Sequence, residues 1–244
     1  TALGYSVEIV IPEKVSQETK SLLKNLGATL HETTDDLCPR VGAGTDQSIA
    51  LAKAISKPRP DIYYMPNQYE NEANFLSHYE ATGPEIWEQT DGSVTHFVTG
   101  CGTGGTITGT ATFLNEKNPA IRVIAVQAQK NHLLQGLRNF EESSMPDLFL
   151  RRKDVADEWF TATNDDSFLM VKELAEKEKL FVGPSSGAVM SAMIKISQGM
   201  NSGSSIVGIF ADDGRKFKTL YQQLNLFDER QIANLTANSK HLPS

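Results

Sequence analysis

The sequence predicts an α/β protein built on parallel, helix-covered sheet. Two observations carry that expectation. Short runs of β-branched and aromatic residues alternate with amphipathic helical stretches along most of the chain, the pattern of strands joined by helical crossovers. A strand, a glycine-threonine loop and a helix also follow one another directly in His96-Phe97-Val98-Thr99-Gly100-Cys101-Gly102-Thr103-Gly104-Gly105-Thr106 and the residues after it. Composition agrees, because 39% hydrophobic and 22% charged residues in a chain of 244 can bury a sizeable core.

Taken in order, Thr1-Ala2-Leu3-Gly4-Tyr5 reads as the last turn of a helix closed by a glycine, with a strand at 7–11 immediately after it. A helix end with no helix before it raises the expectation that an upstream segment is missing. Ser16 is placed to cap a helix whose apolar face includes Leu22, Leu23 and Leu26 and which ends at Gly27. A strand at 28–32 follows. Residues 34–44 read as loop and 45–56 as a helix that Lys57-Pro58-Arg59-Pro60 stops. Residues 61–65 read as a strand, 71–82 as a helical stretch, and 85–89 as a short helix.

Beyond the glycine loop and its helix, Asn118-Pro119 breaks the chain before a strand at 121–126. Residues 129–157 are irregular. A strand at 158–162, a helix at 167–179 capped from Asn164-Asp165-Asp166, and a short strand at 180–182 come next. Gly183 to Gly187 open a helix running to 196, followed by a strand at 206–210 and a helix at 216–224. The end of the chain is polar.

Charge narrows the function classes. Lys+Arg 23 against Asp+Glu 30 gives a net −7, which lacks the basic field that nucleic acid or an anionic membrane demands. Neither is an expected partner. Cys38 and Cys101 imply no disulfide framework, which suits a cytoplasmic setting, and no run has the length of a membrane span. His31, His78, His96, His132 and His241 show no metal-binding spacing, so no metal is expected.

The glycine-threonine loop points to an anion. Glycines let successive backbone N–H groups turn inward, and the helix that follows adds its unpaired amides and positive dipole end. Thr103 and Thr106 can donate hydroxyls to the same oxygens, which favours phosphate. The loop lacks the Lys-Ser/Thr of a P-loop and the glycine spacing of a dinucleotide fingerprint. A plain strand-to-helix turn is the alternative.

Gly102-Thr103-Gly104-Gly105-Thr106 resembles the phosphate cup of the cysteine synthase and cystathionine β-synthase family of pyridoxal-phosphate enzymes. Further stretches in matching order are Asn67-Gln68-Tyr69-Glu70-Asn71, Thr82-Gly83-Pro84-Glu85-Ile86-Trp87, Gln135-Gly136, Gly183-Pro184-Ser185-Ser186-Gly187 and Asp212-Asp213-Gly214-Arg215-Lys216-Phe217. Together they cover about residues 5 to 222. The resemblance implies the two-domain, three-layer parallel-sheet architecture of the tryptophan synthase β-like (fold type II) enzymes. It places a smaller, N-terminally incomplete α/β domain at 1–66, a larger cofactor-binding α/β domain at 67–230, and a polar tail at 231–244.

By the same resemblance, Gly102, Thr103, Gly104, Gly105 and Thr106 hold the phosphate of pyridoxal 5'-phosphate. Gly136 approaches the cofactor through its backbone, the Ser185 hydroxyl meets the pyridine nitrogen, and Gln68 contacts the substrate carboxylate. Read from sequence alone, Ser185 and Ser186 serve equally well as caps of the helix that follows. No residue in the chain matches the family's Schiff-base lysine or its carboxylate-gripping loop, both of which are expected in the missing N-terminal segment.

The branch that uses O-phosphoserine carries an arginine just after the glycine, and Arg138 resembles it; a solvated or Glu141/Glu142-paired arginine is the alternative reading. The implied enzyme is a homodimeric transferase making L-cysteine from O-acetylserine or O-phosphoserine and a sulfur donor, the present chain alone being inactive. The alternatives are another β-replacement or elimination, such as cystathionine or 2,3-diaminopropionate formation or dehydration, and a non-catalytic cofactor-fold binding module. Cys101 reads as a packed side chain rather than a nucleophile, and Trp87 and Trp159 read as packing residues.

Overall fold

The computed structural model describes residues 1–13, 15, 17–34 and 43–238. Ser16 and Cys38 lie outside the described residues. Two compact units form, one from Thr1–Asn67 with Phe140–Ser144, the other from Gln68–Asn139 with Met145–Ser244.

The first unit pairs β1 (Val7–Pro12) with β2 (Ala28–Thr33) in parallel, Val7 opposite Ala28 and Pro12 opposite Thr33. Parallel neighbours need a crossover, and α1 (Gln17–Asn25) supplies it. Lys20 on α1 is buried, and its ammonium is held by the Glu13 carbonyl and the Glu32 carboxylate, both at 2.7 Å. The helix α2 (Ala43–Ser56) packs on β1 and β2. Thr33 and Ser48 join hydroxyls at 3.0 Å where it does so. On the unit's surface Glu8 takes the Tyr63 hydroxyl and the His31 ring nitrogen, each at 2.7 Å; these bonds hold its carboxyl below the usual range.

Residues 61–65, read above as a strand, form none. Ile62 and Tyr64 are exposed, and among the described residues no strand pairs with the segment. High β propensity does not make a strand without a ladder partner.

The second unit carries a four-stranded parallel sheet in the order β5-β4-β3-β6, from β3 (His96–Gly100), β4 (Arg122–Ala128), β5 (Glu158–Ala162) and β6 (Ile206–Gly208). The two central strands read Phe-Val and Val-Ile-Ala-Val and are buried on both faces, as parallel strands under helices are. Helices α5 (Gly105–Lys117), α7 (Asn164–Glu173) and α8 (Pro184–Ser197) supply the cover. The stretch 71–82 is α3 (Glu72–Ser77), capped by Asn71, continued by a π-helical turn (His78–Thr82) and then by α4 (Gly83–Gln89). Phe75 is buried, and the guanidinium of Arg152 lies 3.8 Å above its ring while also bonding Glu72.

Three further expectations change. The strand at 180–182 is a single antiparallel bridge between Val182 and Asp213. The helix at 167–179 begins at Asn164, capped by the Thr163 hydroxyl on Asp166 N, and its last turn at Leu174–Glu178 is π-helical. Residues 231–238 of the expected polar tail belong to α10 (Glu229–Asn238), which buries Ile232. An apolar ridge justifies that helix.

Past α6 (Asp147–Leu150), the last described elements are α9 (Lys218–Gln223) and α10, and residues before, within and between them form an aromatic cluster of Phe168, Phe181, Phe217, Tyr221 and Phe227. Tyr221 is fully buried, and its hydroxyl donates to the Val182 carbonyl at 2.6 Å. Among the described residues no helix is long and apolar enough to cross a membrane. Tyr221→Phe keeps the ring and leaves the carbonyl without this donor, so it should cost about 1–2 kcal/mol in urea denaturation. Tyr221→Ala should cost about 3–5 kcal/mol, because the cavity adds to the lost bond.

Candidate functional site

The site grows from the carboxyl end of the central strand β3, the position in a parallel sheet where loops converge on ligands. The pairing continues one residue past the strand, Cys101 N–H donating to the Val126 carbonyl at 2.8 Å. The chain then turns back into α5 at Gly104, whose φ of +88° is left-handed and whose missing side chain leaves room for Phe149.

Two loops meet backbone to backbone beside this turn. A Cβ on Gly102 would lie 2.5 Å from the Gly136 carbonyl oxygen. Arg138 N–H donates to the Cys101 carbonyl at 3.1 Å, and Ala128 N–H donates to the Arg138 carbonyl at 3.0 Å. Gly136, at φ +95°, faces Ser185, whose hydroxyl lies 3.6 Å from where a Cβ on the glycine would stand. The structure thus gathers Gly102, Gly136 and Ser185 around one spot.

Ser185 and Ser186 do not cap α8. The cap is Gly183, and no side chain bonds there. Both serines are buried in the first turn, and the Ser186 hydroxyl has no hydrogen-bond partner among the described residues. A buried orphan hydroxyl costs about 1–3 kcal/mol, a burden a helix cap does not explain.

The other side of the loop is set by α3 and the π turn. A Cβ on Gly105 would overlap the Asn74 carboxamide, and one on Gly109 would overlap the Phe75 carbonyl and come within 2.8 Å of the His78 Cβ. At this range Asn74 Nδ2 donates to the Gln68 carbonyl at 2.7 Å and to Thr103 Oγ1 at 3.0 Å. The Gly105 N–H also donates to Thr103 Oγ1, at 3.4 Å. His78 spans two hydroxyls, Nδ1 to Thr82 at 2.9 Å and Nε2 to Thr106 at 3.2 Å. Burial lowers the His78 pKa, so its ring is neutral at pH 7. Sequence reasoning did not place Asn74 or His78 in the site. The available signal was their four-residue separation just after Asn67-Gln68, which puts both on one helical face.

Arg138 is 6% exposed, so the solvated reading does not hold. Its guanidinium lies 5.0 Å from the Tyr69 ring centroid. Gln68 itself is exposed, tied through its backbone rather than its side chain. Cys101 is fully buried, and burial pushes its thiol up to about 12 although Arg138 pulls the other way. The packing reading of Cys101 is supported. Trp87 is partly buried, whereas Trp159 is 38% exposed and meets Phe149 edge to face.

Residues 1–212 match the family model for pyridoxal-phosphate dependent enzyme. The chain belongs to that family. A cysteine synthase from Aquifex aeolicus is 40% identical over 222 residues, covering 89% of this chain and 65% of that protein. The chain therefore spans about two thirds of this relative's length. An O-acetylserine dependent cystathionine beta-synthase from Bacillus subtilis is 33% identical over 228 residues, covering 90% of this chain and 71% of its own. Among solved structures, a hydrogen sulfide-producing enzyme from Fusobacterium nucleatum superposes with a TM-score of 0.78 at 29% identity, covering 88% of this chain and 73% of the other. The fold is that of the fold type II enzymes, and pyridoxal phosphate is the family's cofactor.

The residues present fit that cofactor. The two loops at Gly102 and Gly136 approach too closely for a side chain at position 102, the Thr103 hydroxyl stands at the first N–H of α5, and the buried Ser186 hydroxyl has no partner among the described residues. Cys101 should resist iodoacetamide in the folded protein from pH 7 to 9, since almost none of it is thiolate there. Peptide mass mapping should find it labelled only after denaturation.

Proposed function

We propose that the chain carries the cofactor cup and the substrate-orienting groups of an enzyme that makes L-cysteine by β-replacement on an O-activated serine, using a sulfur donor. The observation that supports this reading is the meeting of Gly102, Gly136 and Ser185 beside the start of α5 in a chain of this family. The names of the relatives from Aquifex aeolicus and Bacillus subtilis support the reaction class.

When bound, pyridoxal phosphate supplies an electron sink for charge developing at the substrate α-carbon. The protein groups divide the remaining work. Gly102 to Thr106 offer backbone N–H groups and the Thr103 and Thr106 hydroxyls to the phosphate at the N-terminus of α5. Ser185 offers a neutral hydroxyl to the ring nitrogen, which leaves that nitrogen largely unprotonated and favours loss of a β-substituent over amino transfer. Gln68 offers its carboxamide to the substrate carboxylate. Arg138, buried beside the Tyr69 ring, offers its guanidinium to a substrate phosphate. O-Phosphoserine is therefore the proposed activated serine, although the Bacillus subtilis relative is named for O-acetylserine. The lysine that carries the cofactor in this family is not among the residues of this chain in our reading, so the chain alone binds and orients without turning over. The working state is a homodimer in the cytoplasm.

An absorbance titration should give saturable binding of one pyridoxal phosphate per chain, and borohydride reduction with peptide mapping should leave no single stoichiometric pyridoxyl-lysine. Absence of binding would remove the proposal. Calorimetry on the loaded chain discriminates the substrates: Arg138→Ala should weaken O-phosphoserine about tenfold to hundredfold, the range of charge-assisted hydrogen bonds, and O-acetylserine less than about twofold. Equal losses would reject the phosphoserine assignment.

A further inference from the structure

Thr103 is held by a hydrogen-bond arrangement that leaves its proton only one role. The atom 2.7 Å from the Gln68 carbonyl must be the Asn74 nitrogen, because a carbonyl only accepts. That fixes the carboxamide orientation, so the same nitrogen, 3.0 Å from Thr103 Oγ1, also donates there. Gly105 N–H donates to the same oxygen at 3.4 Å. A hydroxyl has two lone pairs and one hydrogen. Both lone pairs of Thr103 are taken, and its hydrogen has no acceptor among the described residues.

We propose that Asn74 is a positioning residue that turns the Thr103 hydroxyl into an obligate donor toward the cofactor phosphate. The inference rests on the cofactor reading above and deepens it by assigning a residue that never touches the ligand. Its geometry is enforced from the far side, since a side chain at position 105 would displace the carboxamide. The two Asn74 hydrogens are shared between the cup and the backbone of Gln68, so the loop bearing the substrate-orienting glutamine and the phosphate cup are ordered by one amide.

His78 stands in the same relation to Thr106, but its ring does not fix which atom donates. When Nε2 carries the proton, it donates to Thr106 and frees that hydroxyl for the anion, while Nδ1 accepts from Thr82. The other tautomer reverses both bonds. Asn74 has no such alternative, which makes it the sharper test.

The experiment measures dissociation constants of the full chain for pyridoxal phosphate and for pyridoxal, which lacks the phosphate. The set is the parent, Asn74→Ala, Asn74→Asp, Thr103→Val and the Asn74→Ala/Thr103→Val double variant. Asn74→Ala should weaken pyridoxal phosphate about tenfold, the loss expected for one charge-assisted hydrogen bond, and leave pyridoxal within about twofold. Asn74→Asp keeps the shape but reverses the donor, so its loss should be at least as large. The double variant should bind no more weakly than Thr103→Val alone, because Asn74 acts through that hydroxyl. Equal weakening of both ligands, or losses that multiply in the double variant, would overturn the assignment of Asn74 and leave the cofactor site standing. A parent chain that binds neither ligand would overturn both. Melting of each variant without ligand separates loss of fold from loss of phosphate recognition, and Thr103→Val carries the test if Asn74→Ala does not fold.

Discussion

The close approach of α3 and its π turn to α5 is the constraint on which the candidate site depends. It exists because positions 105 and 109, one helical turn apart, carry no side chain. Asn74 and the backbone near His78 occupy the vacated volume, and only at that range do their side chains reach Thr103 and Thr106. Buried helix contacts of this kind ordinarily gain from larger apolar residues. Here that contact is exchanged for polar order at the mouth of a loop.

The opposite wall is made without side chains. Gly102 against Gly136, with Arg138 N–H on the Cys101 carbonyl, joins two loops through backbone alone. Such a wall is stiff, since backbone groups paired on both sides have few alternatives. Gln68 and Arg138 stand on different supports beside it. Gln68 is exposed and hangs from a carbonyl that Asn74 holds, whereas Arg138 is buried over an aromatic ring.

The sequence made the alternation of strand and helix legible because parallel strands buried on both faces are continuous apolar runs, as at Val123 to Val126. The glycine loop was legible for a related reason: few structures need five glycines within ten residues. What escaped was whatever depends on a partner. Among the described residues, 61–65 have strand-like composition and lack a neighbouring strand, and 180–182 makes a single bridge. α10 looked polar because a single ridge including Ile232 suffices to dock it. Asn74 and His78 were unremarkable polar residues until α5 lay against them. Ser185 and Ser186 could be read as caps until the helix was seen to begin one residue before them.

The π turn at His78–Thr82 also bears on how this stretch can vary in length. Gly83 N–H closes it on the His78 carbonyl, five residues back, so it holds one residue more than an α turn. Successive helical residues are rotated by about 100°, so removing that extra residue would swing the preceding helix by about that angle relative to α4. Asn74 and His78 would then leave α5 together. Glu80, exposed on the turn, can change identity freely, but the number of residues there is fixed. A single-codon deletion would be a more severe lesion than almost any substitution in the same turn.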